Sequence, residues 1–194
     1  MVNWGLQVRN LEPWACGEDF FSVDECVDLT NKCLALDAQD GLVGSKVRLD
    51  KNVRQSKITW LELDEVNNFE MLYRKLTDAV NTFNQALWNF DLDYIETLQF
   101  TRYDTKADHY GLHIDMGGAG RDQRKLSFSV QLSSPEDYKG GELVFFPGSA
   151  DEQVANKAQG TITFFPSYIP HEVRNIKKGK RYSLVGWVRG PFFK

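Results

Sequence analysis

Residues 125–133 read "KLSFSVQLS", and apolar and polar side chains alternate strictly along this stretch. Successive side chains of a β-strand point to opposite faces, so the alternation predicts a strand with one apolar and one polar face. The apolar face consists of Leu126, Phe128, Val130 and Leu132. The polar face consists of Ser127, Ser129 and Gln131. We therefore predict that strands build the centre of this protein.

Four further stretches, on both sides of this one, have the character of strands. They are "YIETLQFTRY" (94–103), "GGELVFFP" (140–147), "GTITFFP" (160–166) and "KRYSLVGWV" (180–188). The second and third begin at glycine and stop at proline, which lacks the N–H group that a central strand needs. The period of two thus predicts several antiparallel strands from about Tyr94 onward.

The chain before Tyr94 is predicted to be helical. "SVDE" at 22–25 is a capping box, in which Ser22 is the N-cap and Glu25 follows three residues later. Apolar side chains then recur at helical spacing in two stripes. The first stripe is Val23, Cys26, Val27, Thr30, Cys33 and Leu34. The second stripe is Phe69, Leu72, Tyr73, Leu76, Val80, Phe83, Leu87 and Phe90.

Between the two helices lies "GLVGSKVRLDKNVRQSKITWLEL" (41–63), which is rich in glycine and charge. Its short β-like runs predict one strand and a long mobile loop, and we take residues 41–60 as a candidate lid over a substrate. No linker divides the chain, so we predict one domain over 1–194. In it, 1–92 is mainly helical support and 93–190 is the strand-rich core.

Helices followed by many strands predict the α+β class. The expected architecture is a β-sandwich or open barrel of antiparallel strands, braced by two long helices. Polar side chains at alternate positions of such strands line the mouth of a barrel, where small-molecule sites are common.

Composition restricts the function. The 194 residues carry a formal net charge of −4 with 42% hydrophobic side chains, which is typical of a globular chain without a basic field. This disfavours a dedicated nucleic-acid binder, which needs clustered Lys and Arg. No apolar run approaches the roughly 18 residues that span a bilayer, so we expect no membrane partner. The first ten residues also lack the pattern of a signal peptide.

Cys16, Cys26 and Cys33 form no metal-binding or disulfide pattern, so we interpret them as buried thiols. Their odd number fits a reducing compartment, and we predict a cytoplasmic location.

The stretch "GLHIDMGG" (111–118) raises the question of a metal site. His113 and Asp115 are two positions apart, so on a strand both would point to the same side. Taken alone, His-x-Asp also arises at ordinary strand ends. A second candidate, His171, opens a β-like run after Pro170. Two histidines and one carboxylate form the facial triad of non-haem Fe(II) oxygenases, although zinc hydrolases use similar ligands.

Ten residues after His171, the sequence "RYSLVGW" places Arg181 and Ser183 on one face of a predicted strand. A guanidinium beside a hydroxyl suits a carboxylate, since the planar fork binds both oxygens. A dicarboxylic keto acid would satisfy both sites, with one end on the ion and the far carboxylate on Arg181. The alternative for Arg181 is a solvated charge at a strand end.

Three stretches carry a resemblance to the Fe(II)- and 2-oxoglutarate-dependent dioxygenases, in their prolyl 4-hydroxylase-like branch. These are "QFTRYDTKADHYGLHIDM" (99–116), "RKLSFSVQLSSPEDYKGGELVFFP" (124–147) and "IPHEVRNIKKGKRYSLVGWV" (169–188). Together they cover most of residues 94–189. The first 90 residues match only loosely, through the helical start and "VRQSKITWL" (53–61).

The resemblance implies a double-stranded β-helix (jelly-roll) core that binds Fe(II) and the cosubstrate 2-oxoglutarate. It implies His113, Asp115 and His171 as iron ligands. Arg181 would hold the distal carboxylate of 2-oxoglutarate and complete the catalytic set. Ascorbate is an optional further cofactor.

Other positions take weaker roles from the resemblance. Tyr103 falls where a tyrosine hydroxyl meets the cosubstrate, and Ser183 is a further candidate for that contact. Trp187 matches an aromatic position near the iron, with a core indole as the alternative. Tyr110 matches a substrate-side aromatic.

At Ser129 and Gln131 some relatives have larger pocket-lining side chains, which puts the contacts there in doubt. We expect His109 to be an exposed loop residue. Gly117, Gly118 and Gly120 are expected to let the chain turn sharply after the ligand strand.

The activity implied is hydroxylation of an unactivated C–H bond with dioxygen, releasing succinate and CO2. A prolyl residue in a peptide or protein is the first expected substrate. The alternatives are the same oxidation of a free amino acid or another small molecule, and a non-catalytic barrel that binds a metal or a carboxylate.

Overall fold

The computed structural model describes residues 12–42, 50–63, 68–118, 120–148 and 151–192. Within these ranges the elements, in chain order, are β1 (Ala15–Gly17), α1 (Val23–Leu34), β2 (Gln39–Asp40), β3 (Arg54–Gln55), β4 (Lys57–Leu61), α2 (Glu70–Leu87), β5 (Tyr94–Ile95), β6 (Leu98–Tyr103), β7 (His109–His113), β8 (Arg124–Gln131), β9 (Tyr138–Gly140), β10 (Leu143–Phe145), β11 (Gln153–Val154), β12 (Ile162–Pro166), β13 (His171–Val173), β14 (Ile176–Gly179) and β15 (Arg181–Arg189).

The strands form two main antiparallel sheets. The larger sheet has the order β1-β12-β8-β15-β6-β4-β2, with β5 paired to β15. The smaller sheet has the order β11-β10-β13-β7-β3, and β9 pairs separately with β14. Most neighbours in the sheets are not consecutive in the chain, so the chain crosses repeatedly between the sheets. The predicted α+β class with antiparallel strands is confirmed.

Strand β8 lies at the centre of the larger sheet and is buried along its whole length. Its apolar face packs into the main hydrophobic cluster, which also contains Leu76 and Val80 of α2. Its polar face contributes Ser129 to a cavity between the sheets. The apolar side chains of "KLSFSVQLS" therefore lie on the side of the sheet that the helix covers, and the polar side chains lie on the side of the cavity.

Helix α1 starts as predicted. The Ser22 hydroxyl accepts a hydrogen bond from the Glu25 backbone N–H at 3.1 Å, and the Glu25 carboxylate accepts one from the Ser22 N–H at 2.8 Å. The predicted stripe is only partly correct, because Cys26, Leu29 and Cys33 are buried while Val23, Val27 and Leu34 are exposed. Cys26, Leu29 and Cys33 are three and four residues apart, so they lie on one side of the helix. The buried face of the helix is narrower than the predicted apolar stripe.

Helix α2 buries the predicted stripe around Leu76 and Val80. Two helices are present among the described residues, but only α2, with 18 residues, is long. Helix α1 has 12 residues, which is close to the average helix, so the expected pair of long helices is not confirmed. Neither helix is long and apolar enough to cross a membrane.

The residues before Tyr94 also supply strands. β1 and β4 join the larger sheet and β3 joins the smaller one. The strand predicted within 41–63 is β4, whereas residues 43–49 of the candidate lid lie outside the described residues. Cys26 and Cys33 are buried as predicted, and Cys16 is half-buried.

A second hydrophobic cluster lies where the two sheets face each other. It joins Phe165 of β12 in the larger sheet to Phe145 of β10 and Val173 of β13 in the smaller one. Tyr103 and Tyr138 belong to the same cluster. This packing holds the sheets at a fixed separation around the cavity described next.

Candidate active site

His113 and His171 are held side by side by the ladder of the smaller sheet. His113 is the last residue of β7, and His171 is the first residue of β13. The two are direct cross-strand partners, and their ring centroids are 4.2 Å apart. Backbone pairing alone thus brings together two imidazoles that are far apart in sequence.

Asp115 completes the group. The N–H groups of Asp115 and Met116 both donate to the Ser167 carbonyl, at 2.9 and 3.0 Å, which anchors the chain just after β7. Asp115 Oδ1 then lies 3.7 Å from His113 Nε2, and Oδ2 lies 3.6 Å from His171 Nε2. One ligand atom from each residue lies within 4.8 Å of the others, a spacing at which a single ion contacts all three.

The orientation of both imidazoles is fixed by backbone carbonyls. Nδ1 of His113 lies 2.8 Å from the Gly111 carbonyl oxygen, and Nδ1 of His171 lies 2.9 Å from that of Ile169. A carbonyl oxygen only accepts, so each Nδ1 carries the proton. Each Nε2 is therefore left with a lone pair, and both face Asp115.

Electrostatics favour the ligand forms of these groups. Burial, and after it the neighbouring His171, lower the pKa of His113 to about 3, so its imidazole is neutral near pH 7. Burial by itself would raise the pKa of Asp115, but the imidazoles of His171 and His113 outweigh it and hold that pKa below its usual range. A neutral imidazole and an ionised carboxylate are the forms that bind a metal.

The glycines after Asp115 behave as predicted. Gly117, Gly118 and Gly120 all have positive φ, at 101°, 41° and 76°. A side chain would strain this left-handed backbone, so the chain turns away from the ligand group at residues without a Cβ.

The donor set suits a ferrous ion. Two imidazoles and one carboxylate supply three ligands and leave open positions for other groups, as in the facial triads of non-haem Fe(II) enzymes. Among the described residues, this is the one cluster of three or more potential ligands.

Arg181 lines the same cavity and is only 3% exposed. Its Nε donates to the Gln131 side-chain oxygen at 3.1 Å, and its Nη1 donates to the Ser183 hydroxyl at 3.4 Å. Both acceptors are neutral, and Arg181 forms no ion pair with any acid that the structure describes. Because an unpaired buried charge is costly, the pocket suits an incoming anion. A solvated strand-end charge, the alternative for Arg181, is excluded by this burial.

Tyr103 is the direct cross-strand partner of Arg181, with its ring centroid 5.5 Å from the guanidinium carbon. Burial raises its pKa, so the phenol stays neutral and can donate a hydrogen bond. Ser129 and Ser183 line the same cavity. Tyr138, which the sequence did not single out, lies beside Arg181, and its hydroxyl is buried.

Two aromatic residues flank the ligand group. Tyr110 stacks on His113 with ring centroids 3.6 Å apart. Trp187 lines the cavity while being 7% exposed, so it is both a buried indole and a cavity wall. The Arg124 guanidinium lies 4.1 Å from the centroid of the Trp187 ring. The Nε1 atom of Trp187 has no hydrogen-bond acceptor in the described part of the chain.

His109 is not the exposed loop residue that the sequence predicted. It starts β7, is partly buried, and its ring nitrogens lie 2.8 and 3.1 Å from the carbonyl oxygens of Ala107 and Asn52. The polar sequence "DTKADHY" gave no indication that His109 lies in a strand. Its strand pairs with β3, which comes from a distant part of the chain. Arg54 of β3 also lines the cavity and was missed, although it falls within "VRQSKITWL".

A sequence model of the 2OG-Fe(II) oxygenase superfamily matches residues 98–189 of the chain. The PKHD-type hydroxylase of Crocosphaera subtropica is 41% identical over 98 residues, which cover 49% of this chain and 43% of that protein. The PKHD-type hydroxylase of Parvibaculum lavamentivorans is 34% identical over 146 residues, covering 75% of this chain and 63% of that protein. The chain thus spans less than two thirds of the length of these relatives.

Solved structures show the same fold. A prolyl-4-hydroxylase of Pseudomonas putida superimposes with a TM-score of 0.74 at 20% identity, over 92% of this chain and 93% of that one. The prolyl hydroxylase of Trichoplax adhaerens, solved with a peptide fragment of the hypoxia inducible factor oxygen degradation domain, gives 0.80 at 19% identity, over 92% and 84%.

Proposed function

We propose that the chain is an Fe(II)- and 2-oxoglutarate-dependent dioxygenase of the 2OG-Fe(II) oxygenase superfamily, in its prolyl 4-hydroxylase-like branch, and that it hydroxylates a prolyl residue. One observation carries the proposal: His113, Asp115 and His171 converge in a cavity that is also lined by Arg181, which has no ion-pair partner among the described residues. A keto diacid requires two sites: a metal ion with open positions for its keto end, and a cation for its distal carboxylate.

In this proposal His113, Asp115 and His171 hold the iron, and Arg181 binds the distal carboxylate of 2-oxoglutarate. When bound, iron with 2-oxoglutarate and dioxygen supplies the oxidising chemistry, in which 2-oxoglutarate becomes succinate and CO2 while a C–H bond of the substrate is hydroxylated.

The remaining side chains orient the cosubstrate and exclude water. Ser183 lies within reach of Arg181 and adds a hydroxyl to the carboxylate pocket. Tyr103 and Tyr138 offer neutral phenols there, since burial raises the pKa of each. Phe165 packs against the His171 ring, with centroids 4.6 Å apart, and keeps one side of the ion site apolar.

The prolyl substrate is proposed from the two solved neighbours described above, which are both prolyl hydroxylases, one of them bound to a peptide. We also propose that the segment 41–60 covers a bound peptide. Arg54, in the described part of this segment, supports the proposal because it lines the cavity. A cytoplasmic location is proposed from the three free thiols.

The first experiment mixes the protein with Fe(II) and 2-oxoglutarate without oxygen and records the visible spectrum. We expect a metal-to-ligand charge-transfer band, and succinate once oxygen and a peptide panel are added. Mass spectrometry of the same panel, extended to free amino acids and run with and without ascorbate, detects the +16 Da product. If neither band nor succinate forms, a non-catalytic binding barrel is the better description.

A further inference from the structure

A second buried arginine lines the cavity that contains the metal ligands. Arg54 lies on β3 opposite Tyr110 of β7 in the smaller sheet. It is 5% exposed and lines the same cavity as His113 and His171. The position differs from that of Arg181, which lies on β15 in the other sheet.

The guanidinium of Arg54 is held firmly but only partly satisfied. Its Nε donates to the Ser56 hydroxyl at 2.8 Å, and its carbon lies 4.5 Å from the centroid of the Tyr110 ring. The Gly41 backbone approaches so closely that a Cβ there would lie 2.5 Å from Arg54 Nε. In the described part of the chain, its two terminal amino groups have no hydrogen-bond acceptor, and no carboxylate pairs with it.

Charge balance in the cavity points to a missing anion. The lining residues include two guanidinium groups, Arg54 and Arg181, and one carboxylate, Asp115. A divalent ion and the doubly charged 2-oxoglutarate cancel each other, so one positive charge remains after both have bound. A buried charge without a counter-ion is costly, which indicates that the remaining component of the reaction supplies it.

We propose that the prime substrate carries a carboxylate close to the carbon that is hydroxylated, and that Arg54 binds this carboxylate. The inference rests on the function proposed above. The Tyr110 ring contacts both the Arg54 guanidinium and the His113 ring. Arg54 is therefore connected to the ion site through the rings of Tyr110 and His113. A carboxylate fits the single residual charge, whereas a phosphate monoester carries close to two. In this proposal Arg181 binds the cosubstrate, and Arg54 binds the prime substrate.

The test uses the anaerobic complex with Fe(II) and 2-oxoglutarate, in which no turnover occurs. Calorimetry measures the binding of matched pairs of ligands: N-acetyl-proline against its amide, and blocked dipeptides in which proline adjoins Asp or Asn on either side. We expect at least one carboxylate ligand to bind tenfold or more tightly than its neutral partner. Arg54→Met should reduce this ratio to near one, and Arg54→Lys should restore part of it.

Arg74→Met is the matched control, because Arg74 is an exposed arginine on α2 that pairs with Glu70. This variant should keep the wild-type ratio. The charge-transfer band and the affinity for 2-oxoglutarate should survive Arg54→Met, which separates this proposal from the activity itself. The proposal is overturned if no pair shows a preference for the carboxylate, if the preference persists in Arg54→Met, or if that variant loses 2-oxoglutarate affinity instead.

Discussion

His113 and His171 face each other directly across the antiparallel pair of β7 and β13, with both Nε2 atoms aimed at Asp115. The ladder positions the backbone, and the carbonyls of Gly111 and Ile169 fix the ring orientation. Strand pairing and these carbonyl contacts together define the geometry of the ligand group.

Loss of one ligand should weaken iron binding. For His171→Ala or Asp115→Ala we expect a fall of at least about tenfold in metal affinity, since losing even an outer partner of a metal ligand costs about 10- to 100-fold. An anaerobic titration with Fe(II) and 2-oxoglutarate measures this through the charge-transfer band. His109→Ala is the control, because the described hydrogen-bond contacts of the His109 ring are with backbone carbonyls and His109 lies outside the ligand group. Equal loss in His109→Ala would contradict the assignment.

Arg181 should control the affinity for the cosubstrate. Truncating one partner of a buried, hydrogen-bonded charge pair costs about 2–5 kcal/mol, so Arg181→Met should weaken 2-oxoglutarate binding at least about thirtyfold. Arg181→Lys should weaken it less, because the charge remains but the planar fork is lost.

Calorimetry without oxygen, with Arg74→Met as the surface control, measures both values. An Arg181→Met protein that binds 2-oxoglutarate normally would remove Arg181 from the cosubstrate pocket.

Glu96 should make stability depend on pH in the acid range. Burial by itself raises the pKa of Glu96, but hydrogen bonds and charges from Arg124 and Arg189 outweigh it and lower that pKa. A carboxyl whose folded pKa lies below its unfolded value, about 4.3, stabilises the fold above that value and loses this effect as pH falls through the folded pKa.

We expect Glu96→Gln to lower the free energy of unfolding by about 1–2 kcal/mol at pH 7, a discounted figure because the group is partly exposed. The difference should shrink at pH 3. Urea unfolding at both pH values tests it, with the exposed Glu62→Gln as the control. A difference that is the same at both pH values would show that charge at Glu96 is not the cause.

Gly186 should tolerate no side chain. A Cβ at this position on β15 would lie 2.2 Å from Cζ of Phe128, a fully buried ring in the main cluster. Overpacking of this kind costs about 1–3 kcal/mol, so Gly186→Ala should shift the denaturation midpoint downward.

Gly17→Ala, where the nearest atom would be 3.2 Å away, should have a smaller effect. The double variant with Phe128→Leu should recover part of the loss, since the two positions are coupled. Purely additive effects would argue against direct contact between residues 186 and 128.

Local rules predicted much of the fold correctly. The alternation in "KLSFSVQLS" predicted strand β8 and its apolar face, and the capping box predicted the start of α1. Both depend on neighbours within a few residues. The exposure of Val23 and Val27 was not predictable in this way, because helical spacing does not say how wide a face the sheet will cover.

The sequence by itself determined the kinds of side chain available: two imidazoles, a carboxylate and an arginine with the spacing of a known family. Only the tertiary structure decided that His113 and His171 are ladder partners, and that Arg181 is buried without a counter-ion among the described residues. It alone also brought Arg54 into the same cavity from a strand far earlier in the chain. Periodicity reports on contacts between near neighbours in the chain, whereas cross-strand pairing and burial depend on segments that meet only when the two sheets close.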